Sequence, residues 1–499
     1  MSTGTDPQVP ESNAGLEAQV SPAHAASPEQ KSFQALLRFV RARLHGGWRV
    51  ARDVEPEFWC KLQRELRAGR QWLDRSLVLA CAAATGLIVV GFTLLAEAAL
   101  EAFRRIEHMG PAGPWLTLLW TPALSVALLW WTRRFASGAL GSGVPQVVRA
   151  LDVDLPDAQR DWLVSLRISL HKIGLVSGGM LAGLSIGREG PTVQVGAGVM
   201  LQARRWLSAQ SGIDAHDLMV AGAAAGIAAA FNTPLGGIVF ALEQLSRRRG
   251  ISHSGLVIAS IVLAGLVSVA VFGNESYFGR LRVQQMSWAL LLPGVLVALV
   301  AGLAGGLFAR LMVLSVRGLP DRFSRWRREH PFRFATACAL AVAVIGLVTD
   351  GATAGAGYAT TRALLDGQSD LPGVYTLLKF MATWLSACSG LPAGVFSPSL
   401  AIGAGIGHDM ALLAGVGREA AIPLIALGMA SFLAATTGGP ITAFIIVMEM
   451  VSGQAMVLSL MASALLSSGV ARLITNPMYQ ELAGLLPLPP HTDPGKDRP

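Results

Sequence analysis

Three short glycine-rich turns carry polar groups into otherwise apolar stretches of this chain: Gly141-Ser142-Gly143-Val144-Pro145, Gly187-Arg188-Glu189-Gly190-Pro191 and Gly394-Val395-Phe396-Ser397-Pro398. Each opens an apolar run with helical character. The first turn of a helix offers backbone N–H groups without intrahelical partners and the positive end of the helix dipole. Several such turns brought together form an anion site without a full buried cation. Glycine lets the backbone approach the ion, and the proline of each turn suits the first helical position, where a missing N–H costs nothing. The chemistry expected is the binding of a small anion. No carboxylate or His cluster occurs at ligand spacing, so neither a metal nor a cofactor is expected. Glu189 needs its own account, because a charged side chain at membrane depth costs roughly 2.5 kcal/mol or more. Two readings stand: an ion pair with the adjacent Arg188, or a gate whose ionised carboxylate competes with the anion for the same N–H groups and leaves on protonation.

Turns of this kind must be held by long apolar elements, and the composition supplies them. Of 499 residues, 52% are hydrophobic and 14% charged, against about 25% charged in soluble domains. That excludes a soluble multi-domain enzyme and makes the lipid bilayer a partner. The 55 glycines sit inside the apolar stretches, as in closely packed or broken membrane helices. The net charge is +8, but nucleic acid is not the partner it indicates. Its densest run, Arg317, Arg322, Arg325, Arg327, Arg328 and Arg333, lies between two apolar segments, where a cytoplasmic loop is expected. The four cysteines, Cys60, Cys81, Cys338 and Cys388, are scattered and imply neither a disulfide framework nor a zinc site.

Apolar segments recur from about 77 to 474. Several are only ten to thirteen residues long, well short of the roughly 20 a crossing needs. Half-helices at membrane depth must be buried in protein or line a wet cavity, which places a ligand site at their centre. The expected organisation is a disordered polar tail over 1–32, a basic amphipathic cytoplasmic segment over 33–76, a membrane domain over 77–486 and a short polar tail over 487–499. The fold class expected is an all-α polytopic membrane protein with broken helices, both termini cytoplasmic.

An internal repeat is visible. Gly187, Gly190, Pro191, Gly196 and Gly198 recur as Gly394, Ser397, Pro398, Gly403 and Gly405, all offset by 207. Pro234 and Glu243 recur as Pro440 and Glu449, offset by 206. Two halves follow, about 77–250 and 255–475. Interrupted segments at matching places in two halves point to a transport site between them.

These motifs resemble those of the CLC family of chloride channels and chloride/proton exchangers, over about 77–486 and with all three turns in order. The resemblance implies a homodimer with one pore per subunit, each built from two inverted halves, in a bacterial inner membrane. It implies that Ser142 donates its hydroxyl to a central chloride, joined by the amides of Val395 and Phe396 and by Tyr479, and that Glu189 is the external gate. In one respect the chain departs from it. Proton-coupled members carry a second glutamate after the FNTP segment, whereas this chain has Glu243-Gln244, and an amide cannot bind and release a proton near neutral pH. Passive chloride conductance is therefore expected, with chloride/proton exchange as the alternative, protons then passing by Glu243 or water. A cation-coupled solute carrier is a more distant rival. An intramembrane enzyme using Glu189 or Glu449 lacks a nucleophile or metal partner at helical spacing. His171 and His408 read as packed or surface residues, and Asp152, Asp154, Asp157 and Asp161 as a solvated loop.

Overall fold

The computed structural model describes residues 69–209, 211–246, 250–273, 276–279, 288–367 and 373–489. The expected polar tail, nearly all of the 33–76 segment, Cys60 and the last ten residues lie outside the described residues. Within them the chain is helical, its one β contact being an isolated antiparallel bridge between Gly187 and Gly394. In chain order the helices are α1 (Gly69–Glu107), α2 (Gly113–Phe135), α3 (Val144–Ala150), α4 (Asp157–Leu163), α5 (Leu166–Leu181), α6 (Glu189–Leu201), α7 (Ala215–Phe231), α8 (Pro234–Phe240) and α9 (Ser254–Phe272). There follow α10 (Leu291–Arg317), α11 (Arg322–Glu329), α12 (Pro331–Val348), α13 (Tyr358–Leu365), α14 (Tyr375–Cys388), α15 (Phe396–Leu413), α16 (Arg418–Thr437), α17 (Pro440–Met450), α18 (Val457–Arg472) and α19 (Met478–Gly484). Seven helical stretches among the described residues are long and apolar enough to cross a membrane. The half-length apolar helices include α7, α8 and α17.

The repeat becomes a pairing of helices in order: α1 with α10, α2 with α12, α3 with α13, and α5 to α9 with α14 to α18. Opposite ends of one pair reach the basic face. α2 ends on Arg133 and Arg134, whereas α12 begins directly after the Arg-rich α11. The halves are therefore inverted relative to each other, as expected.

Small residues let the buried helices touch. A Cβ on Gly222 of α7 would collide with the Gly196 carbonyl of α6, and a Cβ on Gly428 of α16 with the Gly403 carbonyl of α15. This is close backbone packing of the small-residue kind, used twice. α6 and α7 are buried almost throughout, and α7 is ended by Asn232 in the left-handed region at φ 56°.

Local expectations need correcting at three places. The Arg-rich stretch is no loop, since Asp321 accepts from the Ser324 amide at 3.2 Å and caps α11 over Arg322–Glu329. Pro191 and Pro398 are the third helical residues, not the first. They still fall within the first turn, whose N–H groups lack partners. Asp157 opens α4 and pairs with Arg160 and, at 3.7 Å, with Arg204, while Asp152 pairs with Arg149 at 2.6 Å. The acidic stretch is thus partly helical and paired.

Candidate functional site

The three turns meet because their glycines leave no room for side chains. A Cβ on Gly143, whose φ is 109°, would stand 2.6 Å from the Gly190 carbonyl oxygen. One on Gly190 would stand 2.5 Å from Ser142 Oγ, and one on Gly394 2.7 Å from Pro191 Cδ. The Gly187 amide donates to the Gly394 carbonyl at 2.7 Å and ties the second turn to the third. Since 187 and 394 are repeat mates, the bridge lies where the two halves exchange places. The first turns of α3, α6 and α15 are thereby gathered at one point.

At that point stand hydroxyls without acceptors. Ser142 is 6% and Tyr479 1% exposed, and neither hydroxyl has a hydrogen-bond partner, although the two lie close enough to interact. Buried polar groups are nearly always paired, so orphaned donors facing one place mark a site for an acceptor. Ser397 Oγ is a third such hydroxyl. Val395 caps α15, and the Phe396 ring packs on Phe231 with centroids 5.4 Å apart. The Gly143 amide is already taken, because it donates to Gln146 Oε1 at 2.8 Å. Gln146 was not singled out in the sequence, nor was Lys172. The Lys172 ammonium is fully buried behind the first turn and donates to the carbonyls of Ala139 and Gly141 at 2.7 and 2.6 Å.

Glu189 is the first residue of α6 and 0% exposed. Neither of its carboxylate oxygens accepts a hydrogen bond. A Cβ on Gly187 would stand 2.5 Å from its Oε2, so the side chain folds back over its own turn toward α15. The pairing with Arg188 is a long contact, Nε to Oε1 at 3.9 Å, because the guanidinium spends its short bond elsewhere, from Nη2 to Glu97 Oε1 at 2.9 Å. Arg188 lines a cavity of about 630 Å³ with Glu97, Glu101, Arg104, Tyr277 and Arg362.

A sequence profile described as "voltage gated chloride channel" matches residues 123–472. The chain belongs to that family. Among its relatives is the H(+)/Cl(-) exchange transporter ClcA of Vibrio parahaemolyticus, 30% identical over 389 residues, which are 73% of this chain and 79% of that one. ClcA of Cronobacter sakazakii is 29% identical over 446 residues, 83% and 91% of the two chains. The fold is shared with a slow cyanobacterial Cl−/H+ antiporter, with a TM-score of 0.70 at 23% identity over 82% of this chain and 97% of that one. It is shared too with a eukaryotic CLC transporter, with a TM-score of 0.67 at 21% identity over 83% and 74%.

In this voltage gated chloride channel family member the acids on the repeat's second block are held crosswise. Glu243 accepts from the amides of Ile441 and Thr442 at 3.1 and 2.7 Å, at the start of α17. Glu449 accepts from those of Leu235 and Gly236 at 3.2 and 2.6 Å, at the start of α8. Each carboxylate caps the repeat mate of the helix that carries it. Gln244 follows in a π turn, 5% exposed, with its Nε2 unpartnered, and borders a cavity of about 290 Å³ with Arg149, Asp152, His216 and Gln480.

Contrary to expectation, one carboxylate and His cluster does occur: Asp214, His216 and Asp217 bring one ligand atom each within 4.8 Å of one another. Asp217 is already engaged, accepting from the Ser252 and His253 amides at 3.3 and 3.0 Å and contacting His253 Nδ1 at 3.0 Å. The cluster therefore ties the start of α7 to the start of α9. His171 bonds the Arg167 carbonyl at 2.9 Å on the surface. Cys338 and Cys388 are buried, and Cys388 lies 3.2 Å from Ser315 Oγ.

Proposed function

We propose that this protein moves chloride and similar small monovalent anions across a bacterial inner membrane. The anion is held by the hydroxyls of Ser142 and Tyr479 and the first-turn amides of α15, at Val395 and Phe396. Glu189 is the gate. The observation that carries the reading is the set of buried, acceptor-less hydroxyls next to a buried, donor-less carboxylate. When Glu189 is ionised it competes with the anion for the same donors, and when protonated it withdraws. Flux therefore rises as pH falls. The names of the ClcA relatives support the choice of chloride, and the subunit works as a homodimer with one pathway per copy.

Passive conductance is the reading favoured by Gln244, an amide at the position where a proton relay needs an acid, and by Glu243, whose oxygens are engaged as a helix cap. Exchange of chloride for protons is the second reading, favoured by the relatives, which are named exchange transporters. Proteoliposomes with a chloride gradient and no initial pH gradient separate the two. Uphill proton movement driven by chloride overturns passive conductance. Chloride efflux without it overturns exchange, and no anion flux in either direction overturns the proposal as a whole.

A further inference from the structure

His216, in the first turn of α7, is 7% exposed, and its Nδ1 is buried without a hydrogen-bond partner. Buried polar atoms are nearly always paired, so an orphan of this kind needs an explanation. The nitrogen faces Asp217 Oδ1 across 3.6 Å, which is too long for a hydrogen bond. The gap is close to the spacing of two ligands on one tetrahedral zinc ion, about 3.3 Å for bonds of about 2.0 Å. Asp214 completes the group, since one ligand atom from each of the three residues lies within 4.8 Å of the other two.

Both carboxylates are already held in place. Asp214 is the N-cap of α7, and its Oδ1 accepts from the Asp217 amide at 2.8 Å. Asp217 is 2% exposed. Its Oδ2 takes the His253 amide and His253 Nδ1, both at 3.0 Å, and its Oδ1 takes the Ser252 amide at 3.3 Å. An ionised carboxylate has about four acceptor positions, and the one left over is on Oδ1, the oxygen that faces His216. Hydrogen bonds of this second kind orient ligands before an ion arrives. His216 also borders the 290 Å³ cavity with Gln244 and Gln480. Gln480 is on α19, whose Glu481 pairs with Arg317 at the end of α10, so the cavity lies at the basic face and gives an ion a way in.

We propose that Asp214, His216 and Asp217 bind a late first-row divalent metal ion, zinc above all, with water from the 290 Å³ cavity as a further ligand. Imidazole with carboxylates suits zinc, whereas calcium and magnesium take oxygen ligands. Two carboxylates balance the charge of one dication and outweigh the positive end of α7, which alone would oppose it. Through Asp217 and His253 the ion stiffens the junction of α7 with α9. None of these residues belongs to the anion site, so the metal site does not rest on the proposed function.

Two measurements test it on the full chain, treated with EDTA and then freed of it. Isothermal titration with zinc chloride is expected to show one saturable site per subunit, and magnesium chloride none. Asp214→Asn keeps a strong N-cap and so preserves α7 while removing a charge from the site. His216→Gln removes the unpartnered nitrogen. Each is expected to weaken zinc binding roughly tenfold or more. In crystals soaked with zinc, anomalous scattering at the zinc edge is expected about 2.1 Å from His216 Nδ1. A titration without a saturable site overturns the proposal, as does wild-type affinity in Asp214→Asn. A zinc peak only at other histidines is adventitious binding and overturns it too. Should His216→Gln fail to fold, Asp214→Asn and the position of the zinc peak decide between them.

Discussion

Three glutamates of this chain hold their carboxylates near helix starts, Glu189 fully buried and Glu243 and Glu449 half-buried, and they are in two different situations. Glu243 and Glu449 each accept two backbone amides, at 2.6 to 3.2 Å, from the first turn of the other half's helix. Glu189, more deeply buried than either, accepts none. Residue type and a helix N-terminus are common to all three, so neither decides the role. What differs is whether the donors are committed. The crosswise pair fixes the two halves to each other, and Glu189 keeps only its long 3.9 Å contact with Arg188, without a hydrogen bond, beside hydroxyls that have none either. A carboxylate in that position can be replaced by an anion without breaking an existing bond.

The sharpest way to break this contrast is at Glu189. Glu189→Ala is expected to abolish the pH dependence of chloride flux entirely, leaving a constant flux from acid to alkaline pH, because nothing ionisable then competes for the donors. Flux assays across pH in proteoliposomes check it. A variant that is folded but transports nothing at any pH sinks the gate. Gly190→Ala comes next in size. The added Cβ would stand 2.5 Å from Ser142 Oγ and 3.0 Å from the Ser142 carbonyl oxygen, where relief turns the donor hydroxyl out of place and crowds the turn, at about 1–3 kcal/mol for overpacking. A fall in flux of roughly five- to a hundredfold at an unchanged pH profile is expected, since each 1.4 kcal/mol is a factor of ten.

Much of this site was legible in the residues. The three turns, Glu189 and the two-fold repeat follow from glycine, proline and acid placement, because only glycine fits where backbones touch, whereas the hydroxyls of Ser142 and Tyr479 were pointed to by the family resemblance alone. What stayed hidden are groups whose role depends on a distant partner. Gln146 and Lys172 look like ordinary polar residues on apolar segments until the fold sets them behind the first turn. The short bond of Arg188 to Glu97 joins residues 91 positions apart, and no spacing rule could find it. The crosswise caps were half visible: the matched Glu243 and Glu449 showed the duplication, but not that each serves the other half. Asp217 and His253 escaped for the same reason. α11 was missed because only Phe323 and Trp326 break its charged run, although they form an apolar face that packs on Phe334, with centroids 4.9 and 5.3 Å apart, and its cap at Asp321 was a further signal.

The same contrast predicts a different failure at the crosswise pair. Glu243→Gln removes the charge from a group accepting two amides, and hydrogen bonds to charged groups are worth about 1.5–3 kcal/mol. The expected outcome is a lower thermal unfolding temperature in detergent, with the pH dependence of flux kept. Glu449→Gln should match it, since the geometry is reciprocal. If Glu243→Gln instead flattens the pH profile without a loss of stability, then Glu243 belongs with Glu189, as a proton group, and the division drawn between the two situations fails.

The smallest expected effect isolates one donor. Tyr479→Phe deletes a hydroxyl that has no protein partner, so no buried group is orphaned by its loss and folding should be untouched. What is lost is one hydrogen bond to the anion, a net of about 0.5–1.5 kcal/mol, which weakens chloride binding roughly two- to tenfold. Isothermal titration of chloride into the detergent-solubilised protein reads this directly. Ser142→Ala should weaken binding to a similar degree, and the double variant should show coupling, because both hydroxyls face one ion. Strictly additive losses would mean that the two donors serve separate ions, and the single central site would have to be divided.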